Sequence, residues 1–154
     1  MIDDIYSARI LGLAADMPRA GRLPDPDASS EKVSKLCGSR ITVDVKLDDG
    51  GHVSDFAQDV KACALGQAAA AVLGANVVGA DLEDIKVARD ALRAMLKEGG
   101  PPPEGRFSEL AVLAPVKDYP ARHNSTLLAF EAALEAVRQA VETGSTRTRR
   151  AGTA

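Results

Sequence analysis

We predict an α+β fold from this sequence, with helices packed on one face of a small, antiparallel, three-stranded sheet. Residues 41–47 alternate apolar and polar side chains, so that one side of this strand is buried and the other meets water. A strong turn signal follows at residues 48–51, and the chain returns as a second strand over residues 52–60. A short strand over residues 31–36 completes the predicted sheet.

Apolar residues at helical spacing predict helices before and after these strands. The predicted helices cover residues 3–17, 62–74, 82–97 and 126–141. Pro18 ends the first helix, because the residue before a proline disfavours helical backbone. Asp81 is placed to cap the third. Stretches rich in Pro, Gly or Asp predict loops over residues 19–30, 99–103 and 115–120.

The 154 residues are predicted to form one domain followed by a tail. Residues 1–142 contain every predicted helix and strand. Residues 143–154 consist of Thr, Ser, Gly, Ala and Arg, and they carry no large apolar side chain that could anchor them to a core. We therefore expect a disordered basic tail there.

The composition argues against several classes of function. A formal net charge of −3 gives no basis for binding nucleic acid or an anionic membrane. An aromatic content of 3% leaves few side chains that could stack on bases. No apolar run reaches the roughly 20 residues that a membrane span needs. The first residues are acidic and no secretory signal follows them, so we expect a cytoplasmic protein.

The two cysteines lie at joints between predicted elements. Cys37 comes just before the strand of residues 40–47, and Cys63 lies where the second strand gives way to a helix. A fold of this kind can bring both thiols to one end of the sheet. In a reducing cytosol they are not expected to form a structural disulfide. They are either buried hydrophobic residues or reactive, metal-binding thiols.

His123, just before the final helix, adds an imidazole to the candidate ligands. Thiolate and imidazole groups bind zinc and iron–sulfur clusters well. A helix N-terminus and the nearby Lys61 favour the thiolate form of Cys63. The alternatives are a core role for the cysteines and a solvated surface role for His123. A Cys–His hydrolase, with Cys37 or Cys63 as nucleophile and His123 as base, is a further alternative.

Five segments resemble, in order, motifs of the IscU/NifU N-terminal family of iron–sulfur cluster assembly scaffolds. Residues 17–23 resemble the family's Asn-Pro-Arg-Asn-x-Gly-x-Leu, and residues 36–39 resemble its Cys-Gly-Asp motif. Residues 61–68 are similar to Gly-Cys-x-Ile-Ser-x-Ala-Ser at the start of a helix. Residues 113–117 resemble Leu-Pro-Pro-Val-Lys, and residues 119–122 are similar to the SufU-like branch. The resemblance covers the predicted domain, and it implies the same α+β fold.

The resemblance also implies a metal-binding site that lacks one of the family's three cysteines. Ser39 stands where the family has aspartate. The third cysteine falls on Ser125 if residues 128–130 match the family's Leu-Ala-Trp, and on Asn124 if His123 matches its His-Cys pair. We prefer the first register because it keeps the last helix aligned. The implied ligands are Cys37, Cys63 and His123, with Ser39, Asn124 and Ser125 as weak or outer contacts.

As a member of this family, the protein is expected to be a scaffold rather than an enzyme. It would transiently bind a [2Fe–2S] cluster, or a zinc or iron ion, and transfer it to apo acceptor proteins, with a cysteine desulfurase as the sulfur donor. Two alternatives remain: a zinc-binding acceptor of sulfur from the desulfurase, and a metal-free adaptor of the assembly machinery. The ligands Cys37, Cys63 and His123 are expected to converge at one exposed end of the sheet.

The segment that resembles Leu-Pro-Pro-Val-Lys implies a second binding surface, since family members present it to an Hsp70-type chaperone. The expected chaperone contacts are Leu113, Ala114, Pro115, Val116 and Lys117. We predict an exposed loop here, because Pro115 and Pro120 disfavour regular structure.

Overall fold

A computed structural model describes residues 7–35 and 38–152 of the chain, with residues 145–152 as backbone only. The three strands are β1 (Ala28–Ser34), β2 (Ser39–Leu47) and β3 (Val53–Lys61), and they form one antiparallel sheet in that order. The α-helices are α1 (Ala8–Ala15), α2 (Ala64–Asn76), α3 (Leu82–Glu98) and α4 (His123–Gly152). Two 3₁₀ segments, Gly105–Asp118 and Pro120–Arg122, lie between α3 and α4. The predicted α+β fold with a three-stranded antiparallel sheet is confirmed.

The helices cover one face of the sheet, as the alternation in β2 predicts. Ile41, Val43 and Val45 point to this face, and none of the three is exposed to solvent. Helix α4 packs across β1 and β2, while α2 packs against α4 and β3. Nearly every residue of α2 from Leu65 to Gly74 is buried, so this alanine-rich helix lies at the centre of the domain.

The opposite face, which we expected to meet water, is covered at its centre by the segment of residues 19–27, which is hydrogen-bonded to the sheet at several places. At the edge of β3, Gln58 donates its backbone N–H to Arg19 and accepts one from Gly21. On the outer face, the buried carboxylate of Asp44 accepts hydrogen bonds from the side chain of Arg22, the N–H of Leu23 and the hydroxyl of Ser29. Burial raises the pKa of Asp44, but these donors outweigh it, so the pKa lies below its usual value.

The first strand and the first helix begin elsewhere than the sequence predicts. Strand β1 covers Ala28–Ser34 and starts before the predicted residue 31, because pairing with β2 draws the small polar residues 28–30 into the sheet. Leu36, the last residue of the predicted strand, lies outside the described residues. Their composition is weak in strand signal, so tertiary pairing decides the boundary. Helix α1 starts after Ser7, whose hydroxyl accepts a hydrogen bond from Ile10 N. Residues 3–6, also predicted as helix, lie outside the described residues.

The prediction of an exposed, irregular loop at residues 113–117 is wrong about the conformation and about two of the side chains, while Ala114 and Lys117 are exposed as predicted. Leu113 and Val116 are fully buried, and the segment belongs to the 3₁₀ stretch Gly105–Asp118, with Pro115 inside it. The physical reason is the spacing of its apolar residues Phe107, Leu110, Leu113 and Val116. A 3₁₀ helix has three residues per turn, so this spacing puts all four side chains on one buried face.

The last helix extends beyond its predicted end. The backbone of α4 is helical from His123 to Gly152, whereas we predicted a disordered tail over residues 143–154. No proline follows His123, and Gly144 costs a helix only about 1 kcal/mol relative to alanine, so no residue forces the helix to stop. Thr153 and Ala154 lie outside the described residues. None of the helices in the described part of the chain is both long and apolar enough to cross a membrane.

Candidate metal centre

The strand register brings two predicted ligand segments to the same end of the sheet. Ser34 pairs with Ser39 where β1 turns into β2, and Arg40 of β2 pairs with Lys61, the last residue of β3. Gly38 closes the turn between β1 and β2 by donating its N–H to the carbonyl of Ser34, 2.8 Å away. Its φ of 72° is a conformation that glycine adopts without strain. The turn and the residues after β3 are therefore neighbours.

Cys37 lies outside the described residues, between Lys35 and Gly38 of this turn. Its role as a ligand stays a prediction, and so does the convergence of Cys37, Cys63 and His123. Among the side chains that the structure does describe, no group of three or more His, Cys, Asp or Glu residues is close enough to hold a metal ion.

Cys63 is the N-cap residue of α2 and is partly exposed. Its Sγ lies 3.6 Å from the Oγ of Ser125, which is buried in the first turn of α4. The hydroxyl of Ser125 donates to the carbonyl of Arg122 at 3.2 Å. The same carbonyl accepts the hydroxyl of Thr126 at 2.7 Å. Cys63 and Ser125 are thus the predicted site residues that are in direct contact.

This contact can serve both protonation states of Cys63. When the sulfur carries a proton, it donates to Ser125 Oγ, whose own proton points to the carbonyl of Arg122. When the sulfur is a thiolate, the hydroxyl of Ser125 can turn and donate to it. The carbonyl of Arg122 then keeps the hydrogen bond from Thr126, so no buried acceptor loses its partner.

Gly66 allows α2 and α4 to approach closely enough for this contact. A Cβ at this position would lie 2.9 Å from the Cβ of Ala62 and 3.0 Å from the carbonyl oxygen of Ser125. Both distances are shorter than ordinary carbon contacts. Gly66 is not among the predicted site residues, although a glycine inside an alanine-rich helix is itself a sign of close packing.

His123 is buried, and its Nε2 is already occupied. That nitrogen lies 3.0 Å from the carbonyl oxygen of Val116 and 3.1 Å from that of Lys117. Because carbonyls only accept hydrogen bonds, Nε2 must carry the proton. The imidazole thereby ties the 3₁₀ segment to the start of α4. While these bonds hold, His123 can bind a metal only through Nδ1.

The other two predicted contacts, Ser39 and Asn124, differ in their exposure to solvent. Ser39 is buried at the first position of β2. Asn124 is exposed and borders a groove between α4 and β1, whereas its neighbour Ser125 contacts Cys63. The two alternative positions for the family's third cysteine therefore have different surroundings, and only Ser125 touches a thiol among the described residues.

Comparison with known proteins identifies the family. The model of the NifU-like N terminal domain matches residues 5–126. An iron–sulfur cluster assembly scaffold protein IscU from Thermotoga maritima is 28% identical over 135 residues, which are 88% of this chain and 94% of that protein.

Solved structures agree with this assignment. The N-terminal part of a nitrogen-fixing NifU-like protein from Brucella abortus is 54% identical, with a TM-score of 0.88 over 92% of this chain and 97% of that one. A SUF-system scaffold protein, SufU, from Fervidobacterium islandicum shares the fold at 22% identity, with a TM-score of 0.78 over 86% and 96% of the two chains. The chain belongs to the family of NifU-like N-terminal domains.

Proposed function

We propose that the protein is an iron–sulfur cluster assembly scaffold that transiently binds a [2Fe–2S] cluster, or a metal ion, and passes it to apo acceptor proteins. The observation that carries this proposal is the position of Cys63. Cys63 is the partly exposed N-cap residue of α2, its sulfur contacts Ser125, and it lies at the end of the sheet where the sequence places Cys37 between β1 and β2. The relatives named above as scaffolds support the same role.

The surroundings of Cys63 suit a cluster or metal ion that is bound transiently and then released to an acceptor protein. Thiolates are soft ligands that iron and zinc prefer, and Cys63 lies at the N-terminus of α2. Partial exposure lets an acceptor reach the site, whereas complete burial would oppose transfer. In this proposal Cys37 and Cys63 are the main ligands, and His123 contributes through Nδ1. Ser39 and Ser125 act as weak or outer contacts.

The proposed partners follow from this chemistry. A cysteine desulfurase supplies the sulfur, and apo iron–sulfur proteins receive the cluster. A second candidate function is that of a zinc-binding sulfur acceptor, which the partial exposure of Cys63 favours, since an acceptor thiol must be reachable. The Cys63 thiolate would attack the outer sulfur of a desulfurase persulfide, form a persulfide on Cys63 and release the desulfurase thiolate.

An Hsp70-type chaperone is the least supported of the proposed partners. Its predicted contacts Leu113 and Val116 are buried, so the segment would have to leave the core before a chaperone could bind it. A labelled peptide of residues 111–121, titrated against the ADP form of the chaperone, tests this. Binding no tighter than that of a scrambled peptide removes the chaperone from the proposal and leaves the metal centre unaffected.

The main experiment is anaerobic reconstitution with iron and sulfide, followed by absorption spectroscopy and metal analysis. We expect the wild-type protein to retain iron and sulfide, and Cys37→Ala or Cys63→Ala to abolish retention. Ser39→Ala should have a smaller effect, because a neutral hydroxyl is a weak ligand. His52→Ala, at the opposite end of the sheet, is the matched control and should retain iron like the wild type.

The outcomes separate the candidate functions. Zinc in the purified protein, with no iron–sulfur absorption after reconstitution, would favour the sulfur acceptor. Equal metal content in the wild type and the Cys37→Ala/Cys63→Ala double variant would refute both metal-binding functions. The metal-free adaptor would then be the remaining candidate.

A further inference from the structure

A groove of about 870 Å³ lies between β1, α3 and the first turns of α4. Lys32 and Lys35 border it on the side of β1, and Arg93 and Lys97 border it on the side of α3. Asn124 also borders the groove, which therefore reaches the first turn of α4. Ser125, the next residue in the chain, is the one that contacts Cys63. None of the functions proposed above uses this surface.

The groove is positively charged on a protein whose net charge is negative. Its lining contains the four cations just named and one carboxylate, that of Glu131. Arg89 donates to both oxygens of Glu131, at 3.1 and 3.0 Å, so that negative charge is already paired. The chain as a whole carries a formal charge of −3. The groove is therefore locally positive although the whole chain is negative. A local cluster of positive charge attracts negatively charged partners.

The lining is also partly apolar. Leu127 and Leu128 of α4 contribute to it and are almost completely buried, while Val33 of β1 is 48% exposed. A simple anion would leave Val33 uncovered. A protein segment that carries both carboxylates and apolar side chains would satisfy both parts of the surface.

We propose that this groove binds an acidic segment of a partner protein. Aspartate or glutamate side chains of the segment pair with Lys32, Lys35, Arg93 and Lys97, and an apolar residue among them covers Val33. The groove's four cations and its exposed apolar residue carry this inference. It stands apart from the proposed metal-binding function, because the groove does not need a bound metal.

The test uses the full chain and a fluorescent peptide of glutamates interrupted by leucines, with binding measured by fluorescence anisotropy. We expect saturable binding that weakens with salt, as charge pairing requires. The double variant Lys35→Glu/Lys97→Glu places one opposite charge on each side of the groove. It should bind at least about tenfold more weakly. The neutral peptide, with glutamine in place of glutamate, should not bind.

The matched control is Lys46→Glu/Lys86→Glu, which changes the net charge by the same amount at two residues that do not border the groove. We expect this variant to bind like the wild type. Equal weakening in both double variants would mean that net charge alone attracts the peptide, and it would overturn the proposal. So would tighter binding of a single-stranded RNA with the same dependence on Lys35 and Lys97. Circular dichroism checks that each variant is folded.

Discussion

The two ends of the sheet satisfy their polar side chains in different ways. At the hairpin between β2 and β3, the exposed carboxylate of Asp48 accepts the N–H groups of Gly50 and His52, at 3.0 and 2.9 Å. All of these residues lie within one turn of chain. At the other end, Cys63 contacts Ser125, which is 62 residues away in the sequence. Hydrogen bonds between residues close in sequence stabilise a turn. Contacts between residues far apart in sequence bring different helices and strands together, and such a place can form a binding site.

The two histidines show the same difference. His52 is half-exposed, and its Nδ1 lies 3.7 Å from the carboxylate of Asp48 in the same hairpin. His123 is buried and bonds to backbone carbonyls of the 3₁₀ segment. A histidine that joins two elements can only be substituted by disturbing both of them. We therefore expect changes at the hairpin to leave the metal centre intact, and changes near Cys63 to alter it.

The largest effect is expected from Ser125→Cys, which places a third thiol beside Cys63. A thiolate is a much better ligand for iron than a hydroxyl. Even outer contacts of a metal site change affinity by about 10–100-fold, so we expect iron to be retained at least about tenfold longer against a chelator. Ser54→Cys, an exposed position in β3, is the control and should leave the retention time unchanged. A shorter lifetime in Ser125→Cys would contradict the assigned geometry.

Gly66→Ala should destabilise the fold by about 1–3 kcal/mol, because its Cβ would press α2 against Ala62 and the carbonyl of Ser125. Urea unfolding measures this. The control is Gly12→Ala in α1, where a Cβ would meet nothing within 4 Å. That substitution should stabilise the fold by about 0.4–1 kcal/mol. If both variants unfold at the same urea concentration, α2 and α4 are not as close as described.

Asp44→Asn tests a set of long-range polar contacts that is not part of the metal centre. The variant weakens charged hydrogen bonds to Arg22, Leu23 and Ser29, and should lose about 1.5 kcal/mol of stability at neutral pH. The pKa of Asp44 is lowered in the folded state, so its contribution is complete above the unfolded value and is lost as the pH falls through the lower, folded value.

Unfolding free energies of both proteins between neutral and acidic pH check this prediction. The wild type should lose its advantage over Asp44→Asn only as the pH falls below about 4. Iron retention at neutral pH should be the same in both. A constant difference in stability across the whole range would mean that the charge of Asp44 is not what stabilises the sheet.

The smallest effect is expected from Asp48→Ala at the hairpin. The pKa of Asp48 is lowered, chiefly by the N–H of His52, but the carboxylate is exposed and water can replace its contacts. The melting temperature should fall less than in Gly66→Ala, and iron retention should not change. Loss of iron in this variant would show that the two ends of the sheet are coupled, which would break the contrast between them.

The parts of the fold that follow from local pattern were predictable. The alternation of Ile41, Val43 and Val45 predicted which face of β2 is buried. The sequence also contains apolar residues at every third position, the period of a 3₁₀ helix: Phe107, Leu110, Leu113 and Val116. Because Pro115 lies among them, we interpreted the segment as a loop. The error at that segment was therefore one of interpretation rather than of missing information.

For the candidate site, the sequence indicated which residues are involved but not how their side chains are arranged. Residue types and their order pointed to Cys63, His123 and Ser125. The spacing of residues in the chain cannot say which atoms of these side chains meet. For His123 the sequence left a metal ligand or a solvated surface residue as alternatives. The structure shows a buried imidazole whose Nε2 is bound to two carbonyls, so the surface alternative is wrong.

By itself, the sequence determined the α+β class, the buried face of β2 and the family motifs, since each depends on residues close together in the chain. Tertiary structure alone decided that Ser125 touches Cys63, that Asp44 is buried on the outer face and that cations from β1 and α3 share one groove. These contacts join residues far apart in sequence. Their geometry is set by how helices pack on the sheet, which depends on the whole core at once.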